Sequence, residues 1–203
     1  RSGALKRRLL TLSEGTVILT IRDSDITTIG DMNLAPERAH EAPFCQCKSL
    51  LRVNFRGCTK LTLVGTGAFA RCSSLTSVVL PDSLTHMGEQ AFARCSSLTS
   101  VVLPDSLTQL GESAFGICSS LTSVLLPDSL TQLGDGAFQE CSSLTSIVLP
   151  DSLKQIGKYA FGGCSSLTSV LLPDSLTQLG DGAFQECSSL TSIVLPDSLK
   201  QIG

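Results

Sequence analysis

The chain repeats one 23-residue phrase, and this repetition limits its possible folds more than any other feature. Residues 72–94 read CSSLTSVVLPDSLTHMGEQAFAR, and the phrase recurs with few changes until the 203-residue chain stops. One cysteine and one phenylalanine recur at this interval: Cys72, Cys95, Cys118, Cys141, Cys164 and Cys187, with Phe69, Phe92, Phe115, Phe138, Phe161 and Phe184. A fixed period of this length predicts a solenoid, in which each coil packs against its two neighbours.

The first half of each repeat predicts a short strand. Leu75, Val78 and Leu80 have the spacing Leu-x-x-Val-x-Leu. Because side chains alternate across a strand, Val78 and Leu80 should point inward. Pro81 has no backbone N–H to donate to a ladder, so the strand should end there. One coil is too small to bury its apolar side alone, whereas stacked coils bury it jointly, with parallel strands about 4.8 Å apart.

The second half of each repeat predicts a change of direction and a return to the core. Asp82 and Ser83 suit a turn, because their side chains can hydrogen-bond to nearby backbone amides. Leu84 and Met87 are followed by a glycine, which indicates a bend or a second short strand. Residues 89–95 could then form one helical turn that inserts its alanine and phenylalanine against the preceding coil.

We interpret the chain as one continuous solenoid domain with an atypical start. Residues 72–203 contain five full regular repeats and a partial one, and residues 47–71 form a degenerate repeat of 25 residues. Residues 1–46 contain a further degenerate repeat and are predicted to cap the open core, as terminal repeats of solenoids do. The chain begins at Arg1 and stops at Gly203 within a repeat, so we expect a fragment or a processed product.

The order of residues within the repeat resembles the BspA-type leucine-rich-repeat family. The resemblance rests on the Cys, the Leu-x-x-Val-x-Leu-Pro strand, the Ser-Leu turn, the apolar-Gly pair and the Ala-Phe, and it covers residues 47–203 closely and 17–46 weakly. It implies a right-handed leucine-rich-repeat solenoid with a parallel β-sheet on the concave side and short strands, turns or helical turns on the convex side. It also implies a non-enzymatic module of cell-surface or secreted adhesion proteins that binds proteins or host molecules through the sheet.

Charge is divided unevenly along the chain, although the formal net charge is only −3. Residues 1–71 carry 11 Lys and Arg against 6 Asp and Glu, whereas residues 72–203 carry 4 against 12. An acidic repeat section argues against a groove for nucleic-acid phosphates, which needs Lys and Arg along one face.

No apolar run approaches the ~20 residues of a membrane span, so we expect no membrane insertion. The basic residues among positions 1–8 could contact anionic lipid or nucleic acid, but a solvated end is the simpler interpretation.

Nine cysteines raise the alternatives of disulfides and of a metal site. Six recur once per coil, where bridges between neighbours are geometrically conceivable, but we expect buried reduced thiols that fill space and bond weakly to loop amides. Cys45 and Cys47 form a Cys-x-Cys pair followed by Cys58, and only His40 and His86 could add histidine ligands, so no metal is expected. A Cys45–Cys58 disulfide is the remaining alternative, and it would require an oxidising compartment.

The repeats also argue against catalysis. A nucleophilic serine or cysteine needs a base beside it, and no histidine recurs with the repeated serines. One aspartate recurs in every regular coil: Asp82, Asp105, Asp128, Asp151, Asp174 and Asp197. This column could bind cations, but exposed turn aspartates are the simpler interpretation. We therefore predict that the chain is not an enzyme and needs no cofactor.

The outward strand positions are the predicted ligand-binding residues. If Val78 and Leu80 point inward, Ser77 and Val79 point outward. The corresponding columns are Ser77, Ser100, Ser123, Ser146, Ser169 and Ser192, beside Val79, Val102, Leu125, Val148, Leu171 and Val194. Exposed apolar rows mark partner surfaces, although β-branched residues also favour strands for their own sake. A protein or a surface ligand is therefore the expected partner.

Two other functions remain open. The first is a structural or self-associating array, because the open C-terminal coil at Gly203 could stack on another copy. The second, more remote, is a templating surface such as an ice-binding face. It is indicated by the regular column Thr76, Thr99, Thr122, Thr145, Thr168 and Thr191.

Overall fold

The computed structural model is a solenoid of short parallel strands and turns, and it describes residues 10–13, 16–20, 25–31 and 41–203. Within these residues there is no α-helix. The strands are β1 (Leu10–Ser13), β2 (Thr16–Thr20), β3 (Thr28–Ile29), β4 (Leu50–Asn54), β5 (Leu63–Val64), β6 (Ser77–Val79), β7 (His86–Met87), β8 (Ser100–Val102), β9 (Gln109–Leu110), β10 (Ser123–Leu125), β11 (Gln132–Leu133), β12 (Ser146–Val148), β13 (Gln155–Ile156), β14 (Ser169–Leu171), β15 (Gln178–Leu179) and β16 (Gln201–Ile202). The predicted leucine-rich-repeat solenoid is confirmed.

A continuous sheet follows one side of the solenoid. It has eight parallel two-residue strands in the order β16-β15-β13-β11-β9-β7-β5-β3. In every strand of this sheet except β16 the second residue is buried, as Met87 and Leu110 are, while the first residue is exposed or half-buried. The second short strand was one of two alternatives that the sequence left open after Leu84, and the structure selects it over a simple bend.

The predicted Leu-x-x-Val-x-Leu strands lie on another face of the coils. They are parallel and in register, so that Leu125 pairs with Val102 and Val148 pairs with Leu171. Their ladder is interrupted, however, because β4 bonds to β6, β8 to β10 and β12 to β14, and these pairs belong to separate sheets. The face predicted to carry the sheet is therefore divided among one four-stranded and two two-stranded sheets, and the unbroken sheet is the one of two-residue strands.

Among the described residues, β1 and β2 form an antiparallel pair at the edge of the sheet that also contains β4 and β6. β1 pairs with β2 in antiparallel fashion, and β2 pairs with β4 in parallel fashion. An antiparallel strand at this edge is compatible with a cap, because it covers backbone groups that the first parallel strand would leave open. The assignment of residues 1–46 as a cap, and the division at residues 47 and 72, stay predictions.

Seven phenylalanine rings stack into one column inside the solenoid. Neighbouring ring centroids are 5.1–5.7 Å apart, and the ring planes are within 5–9° of parallel. The column consists of Phe44, Phe69, Phe92, Phe115, Phe138, Phe161 and Phe184. Phe69 also contacts Phe55 edge to face at 5.9 Å. The repeat of 23 residues thus places one aromatic ring per coil at the same point of the core.

The third side of each coil consists of turns rather than the helical turn considered for residues 89–95. Gln90 and Arg94 have φ angles of 55° and 61°, and a left-handed residue interrupts a helix. The N–H of Phe92 donates to the carbonyl of Ala114 in the next coil at 2.8 Å. Such N–H groups therefore donate to the neighbouring coil and not to the carbonyl four residues earlier, as they would in an α-helix.

Glycines after the two-residue strands allow close contact between coils. A Cβ atom at Gly134 would lie 2.7 Å from the carbonyl carbon of Gly111, and one at Gly111 would lie 2.6 Å from that of Gly88. No side chain fits at such distances, so the glycines let two backbones approach each other. Sequence reasoning identified them only as turn markers.

Candidate binding face

Six large apolar side chains are exposed in a single row on the face of the Leu-x-x-Val-x-Leu strands. We call them the apolar stripe: Val79, Val102, Leu125, Val148, Leu171 and Val194. Their exposed fractions range from 42% for Val79 to 79% for Val148. Their inward neighbours Val78 and Val101 are 7% and 3% exposed. The predicted alternation therefore holds, and the apolar row that should point outward does so.

A row of serines runs beside the apolar stripe. All six predicted members are exposed: Ser77, Ser100, Ser123, Ser146, Ser169 and Ser192. Their register continues into the degenerate coil, where Arg52 pairs with Ser77 and Asn54 pairs with Val79. The apolar stripe therefore ends on an asparagine and the serine row on an arginine. Sequence alignment by cysteine could have found both, because LRVN occupies the place of TSVV.

The threonine column is not uniform. Thr76, Thr122 and Thr168 donate from Oγ1 to the carbonyl of the preceding coil at 3.0–3.2 Å. Within the described part of the chain, Thr99 and Thr145 make no such bond. This alternation follows the pairing of the strands. The threonine hydroxyl bonds to the preceding coil only where it comes just before the second strand of a bonded pair. The threonine column therefore does not form a regular row of free hydroxyl groups.

Exposed carboxylates flank the other side of the apolar stripe. We call Asp82, Asp105, Asp128, Asp151, Asp174 and Asp197 the aspartate row, and all six are exposed. Among the described residues none of them makes an ion pair. The row lies three residues after the stripe, beyond a buried leucine and a proline.

The serine after each aspartate holds the coils together in a way that sequence reasoning missed. Ser129 Oγ donates to the carbonyl of Leu107 in the preceding coil at 2.7 Å, and Ser152 Oγ donates to that of Leu130 at 2.6 Å. The prediction that these side chains bond to nearby amides of their own turn was therefore wrong for the serines. Their partner is a carbonyl 22 residues earlier, which only stacking brings within reach.

A cavity opens at the N-terminal end of the apolar stripe. Its volume is about 320 Å³, and its lining includes Arg56, Cys58, Val79, Asp82 and Ser83. It joins an exposed guanidinium, an apolar stripe residue and an exposed carboxylate at one place. Sequence reasoning did not predict this cavity, because it forms between the longer degenerate coil and the first regular one.

The turn side of the coils carries a column of mostly acidic residues with one lysine. Lys158 Nζ lies 2.8 Å from Asp181 Oδ2, and the Lys158 amide donates to Asp135 Oδ1 at 2.8 Å. The hydrogen bond to Asp181 raises the pKa of Lys158. Partial burial, followed by the charges of Glu89 and Asp135, raises the pKa of Glu112. These contacts link neighbouring coils and do not assemble a catalytic group.

The recurring cysteines are buried free thiols that bond to carbonyls. Cys118 Sγ donates to the carbonyl of Phe92 at 3.2 Å, and Cys141 Sγ donates to that of Phe115 at 3.2 Å. Burial raises the pKa of Cys118 to about 12 and raises that of Cys141 well above its ordinary value. The column is the predicted one, but its acceptors are carbonyl oxygens and not the loop amides that were expected.

The other features considered from the sequence are the Cys45–Cys58 pair, a metal site, a membrane span and the basic residues at positions 1–8. Cys45 and Cys58 are not joined by a disulfide; the first is half-buried and the second is buried. In the part of the chain that the structure describes, no group of three His, Cys, Asp and Glu side chains is placed to hold a metal ion, and no helix is long and apolar enough to cross a membrane. His40 and the basic residues at positions 1–8 lie outside the described residues.

Three comparisons bear on the identity of this fold. Residues 37–147 and 132–203 match the family model described as BspA type leucine rich repeat region. Among solved structures, a leucine-rich-repeat protein of T. pallidum is 30% identical with a TM-score of 0.73, and the match covers 94% of this chain and 88% of that one. A leucine rich cell surface protein of Faecalibacterium prausnitzii A2-165 is 29% identical with a TM-score of 0.70. That match covers 91% of this chain but 52% of the other, so this chain spans about half of it. No curated protein sequence matches.

Proposed function

The chain belongs to the BspA-type leucine-rich-repeat family, and on that premise we propose that it is a non-enzymatic interaction module that binds a protein or a surface ligand through its apolar stripe and serine row. The single observation that carries the proposal is the exposure of all six stripe residues on one face. Monomeric soluble proteins rarely leave such a row uncovered unless it serves an interaction.

The energetics favour the middle of the apolar stripe as the centre of binding. Full burial of a Val or Leu side chain contributes about 1.5–3 kcal/mol, and interface energy is concentrated in a few central residues. Leu125 and Val148 are the central members, with exposed fractions of 60% and 79%. Val148 is the most exposed member of the stripe, and a contact centred on this pair has apolar stripe residues on both sides.

The cell surface is the compartment that this proposal favours. The similar F. prausnitzii protein is named as a cell surface protein, and a module that presents an apolar row to solvent suits a protein that captures ligands there. We therefore propose the same location for this chain.

The test is a double substitution in the apolar stripe. A displayed library of random peptides is selected on the wild-type chain, and each enriched sequence is then measured against Leu125→Lys/Val148→Lys. Most enriched peptides should lose at least about tenfold in affinity, because two charges would be buried in an apolar contact. Circular dichroism and the urea midpoint should stay close to wild type, since both side chains already face solvent.

A matched control adds the same two charges elsewhere. Thr108→Lys/Thr131→Lys changes a column in which the chain itself carries Lys154 and Lys200. The enriched peptides should bind this control as they bind wild type. If they bind both double variants equally well, the face of the apolar stripe is not the binding surface and the proposal fails.

Self-association of the last coil, the second function considered from the sequence, stays a prediction. The templating function has less support than the interaction module, because Thr76, Thr122 and Thr168 bond to the backbone of the preceding coil.

A further inference from the structure

The aspartate row and the apolar stripe together form one two-sided surface. Val79 and Asp82 line the same cavity at the N-terminal end of the face, so the two rows are neighbours there. The repeat carries both rows through six coils in step. On the other side of the stripe the serine and threonine rows are uncharged. A segment that covers the stripe would therefore meet negative charge along one flank only.

The spacing of the coils favours a helix as the covering segment. Parallel strands are about 4.8 Å apart, so six coils make a stripe roughly 24 Å long. An α-helix lying along it advances about 5.4 Å per turn and presents one apolar side chain per turn, close to one per coil. In an extended peptide, side chains on one face are ~6.8 Å apart. This spacing differs from the ~4.8 Å spacing of the coils by almost half a coil per residue pair, so the match is lost within two coils. A helix of about 16 residues spans the stripe.

From these observations we propose that the partner segment is a basic amphipathic α-helix, with its apolar ridge on the stripe and its Lys or Arg side chains along the aspartate row. This inference rests on the proposed function, because it names the partner of the same face. Long basic side chains suit the geometry, since their apolar stems can lie over the buried Leu and Pro positions between the two rows while their charges reach the carboxylates.

Charge at the ends of the face also assigns a direction to the helix. Arg52 and Arg56 are exposed at the N-terminal end, where Arg56 lines the cavity beside Val79. Asp174 and Asp197 continue the aspartate row at the other end. The C-terminus of a helix is its negative end and the N-terminus its positive end. The bound helix therefore has its C-terminus near Arg56 and its N-terminus near Asp197.

Three labelled peptides of about 18 residues test the inference by fluorescence anisotropy. The first is a helix with leucines on one face and lysines beside them. The second has glutamates in place of the lysines, and the third is the lysine peptide with two internal prolines. The lysine helix should bind at least about tenfold more tightly than either of the others, and its affinity should fall several-fold as salt rises from ~0.05 to ~0.5 M. No binding of the lysine helix at millimolar concentration overturns the inference.

Paired variants of the protein separate this inference from the proposed function. Asp128→Asn/Asp151→Asn should weaken the lysine helix about fivefold. The same charge change on the turn side, Glu140→Gln/Glu186→Gln, should have no effect. If the library peptides need the apolar stripe but the aspartate variant binds the lysine helix like wild type, the proposed function stands and the basic helix is wrong. If the library peptides bind Leu125→Lys/Val148→Lys as tightly as wild type, the proposed function itself fails.

A second copy of the chain is the competing occupant of the face. Sedimentation of the unliganded chain should then show a dimer that Leu125→Lys/Val148→Lys dissociates, and this result would overturn the basic helix. The direction is tested with a nitroxide at either end of the lysine helix and methyl spectra of the protein. The C-terminal label should broaden Val79 and the N-terminal label Val194, and the opposite pattern contradicts the assigned direction.

Discussion

At the scale of the residue, recurring cysteine and serine side chains of this solenoid bond to the backbone of a preceding coil. The Cys118 thiol bonds to the carbonyl of Phe92, and the Ser129 hydroxyl bonds to that of Leu107. Each bond gives a buried or partly buried polar atom a partner that its own repeat does not supply, and an unpaired one would cost about 1–3 kcal/mol. These thiols and hydroxyls therefore stabilise the stack of coils.

The buried thiols make the stability of the chain depend on alkaline pH. Burial raises the pKa of Cys72, Cys118 and Cys164 to about 12, from an ordinary value of 9.0. In the unfolded chain these thiols lose their protons above pH 9, whereas in the folded chain they keep them. Their contribution to folding is therefore complete below pH 9 and is lost progressively between pH 9 and 12.

We expect Cys118→Ala to remove part of this pH dependence. The free energy of unfolding of the wild type should fall by up to about 1.4 kcal/mol more per pH unit than that of the variant above pH 9. Urea denaturation at pH 7.5, 9 and 10.5 measures the difference. Parallel pH profiles for the two proteins would show that the thiol is not shielded from solvent in the folded chain.

At the scale of the element, the two strand faces differ in continuity. The two-residue strands pair through all eight positions, whereas the Leu-x-x-Val-x-Leu strands are divided among three separate sheets. The glycines after the short strands give a reason, because without a side chain they let the backbones of neighbouring coils approach closely on that side. On the face of the apolar stripe the same coils are linked less regularly, and this leaves backbone groups free at alternate junctions.

Hydrogen exchange should report this alternation directly. The amides of Thr122 and Thr168 donate to the carbonyls of Thr99 and Thr145 at 2.9 and 3.1 Å, while the described structure gives the amides of Thr99 and Thr145 no such partner. We expect the first two to exchange at least about tenfold more slowly than the second two, since exchange requires the bond to open. NMR-detected exchange at neutral pH measures all four. Equal rates would mean that the ladder is continuous in solution.

At the scale of the whole molecule, stability is a sum over contacts between neighbouring coils. Each repeat is too small to fold alone, so an interior coil gains from two neighbours and a terminal one from a single neighbour. The phenylalanine column shows this difference. Phe115 is fully buried between Phe92 and Phe138, whereas Phe184 is half-buried and stacks only on Phe161 among the described residues.

Truncation of these two rings should therefore have unequal costs. Phe115→Ala should lower the free energy of unfolding by about 3–5 kcal/mol, because it leaves a cavity with neighbours on both sides. Phe184→Ala should cost clearly less, since its ring is only partly withdrawn from water. Chemical denaturation of both variants measures the two costs. An equal loss would indicate that the last coil is as fully covered in solution as the interior ones.

The sequence alone was sufficient for the solenoid, for the inward and outward alternation of the first strands and for the phenylalanine column. These features follow from a 23-residue period and a two-residue alternation, and both are local properties that appear in one dimension. It also identified the apolar stripe, since Val79 and its copies must face away from whatever buries Val78.

The tertiary structure decided what depends on the distance between coils. It placed the continuous sheet on the two-residue strands, replaced a helical turn at residues 89–95 by turns, and directed Ser129 to a carbonyl 22 residues away. It also opened the cavity beside Arg56, between the degenerate coil and the first regular one. None of these has a local signal, because each arises from groups that meet only after one coil has stacked on the next.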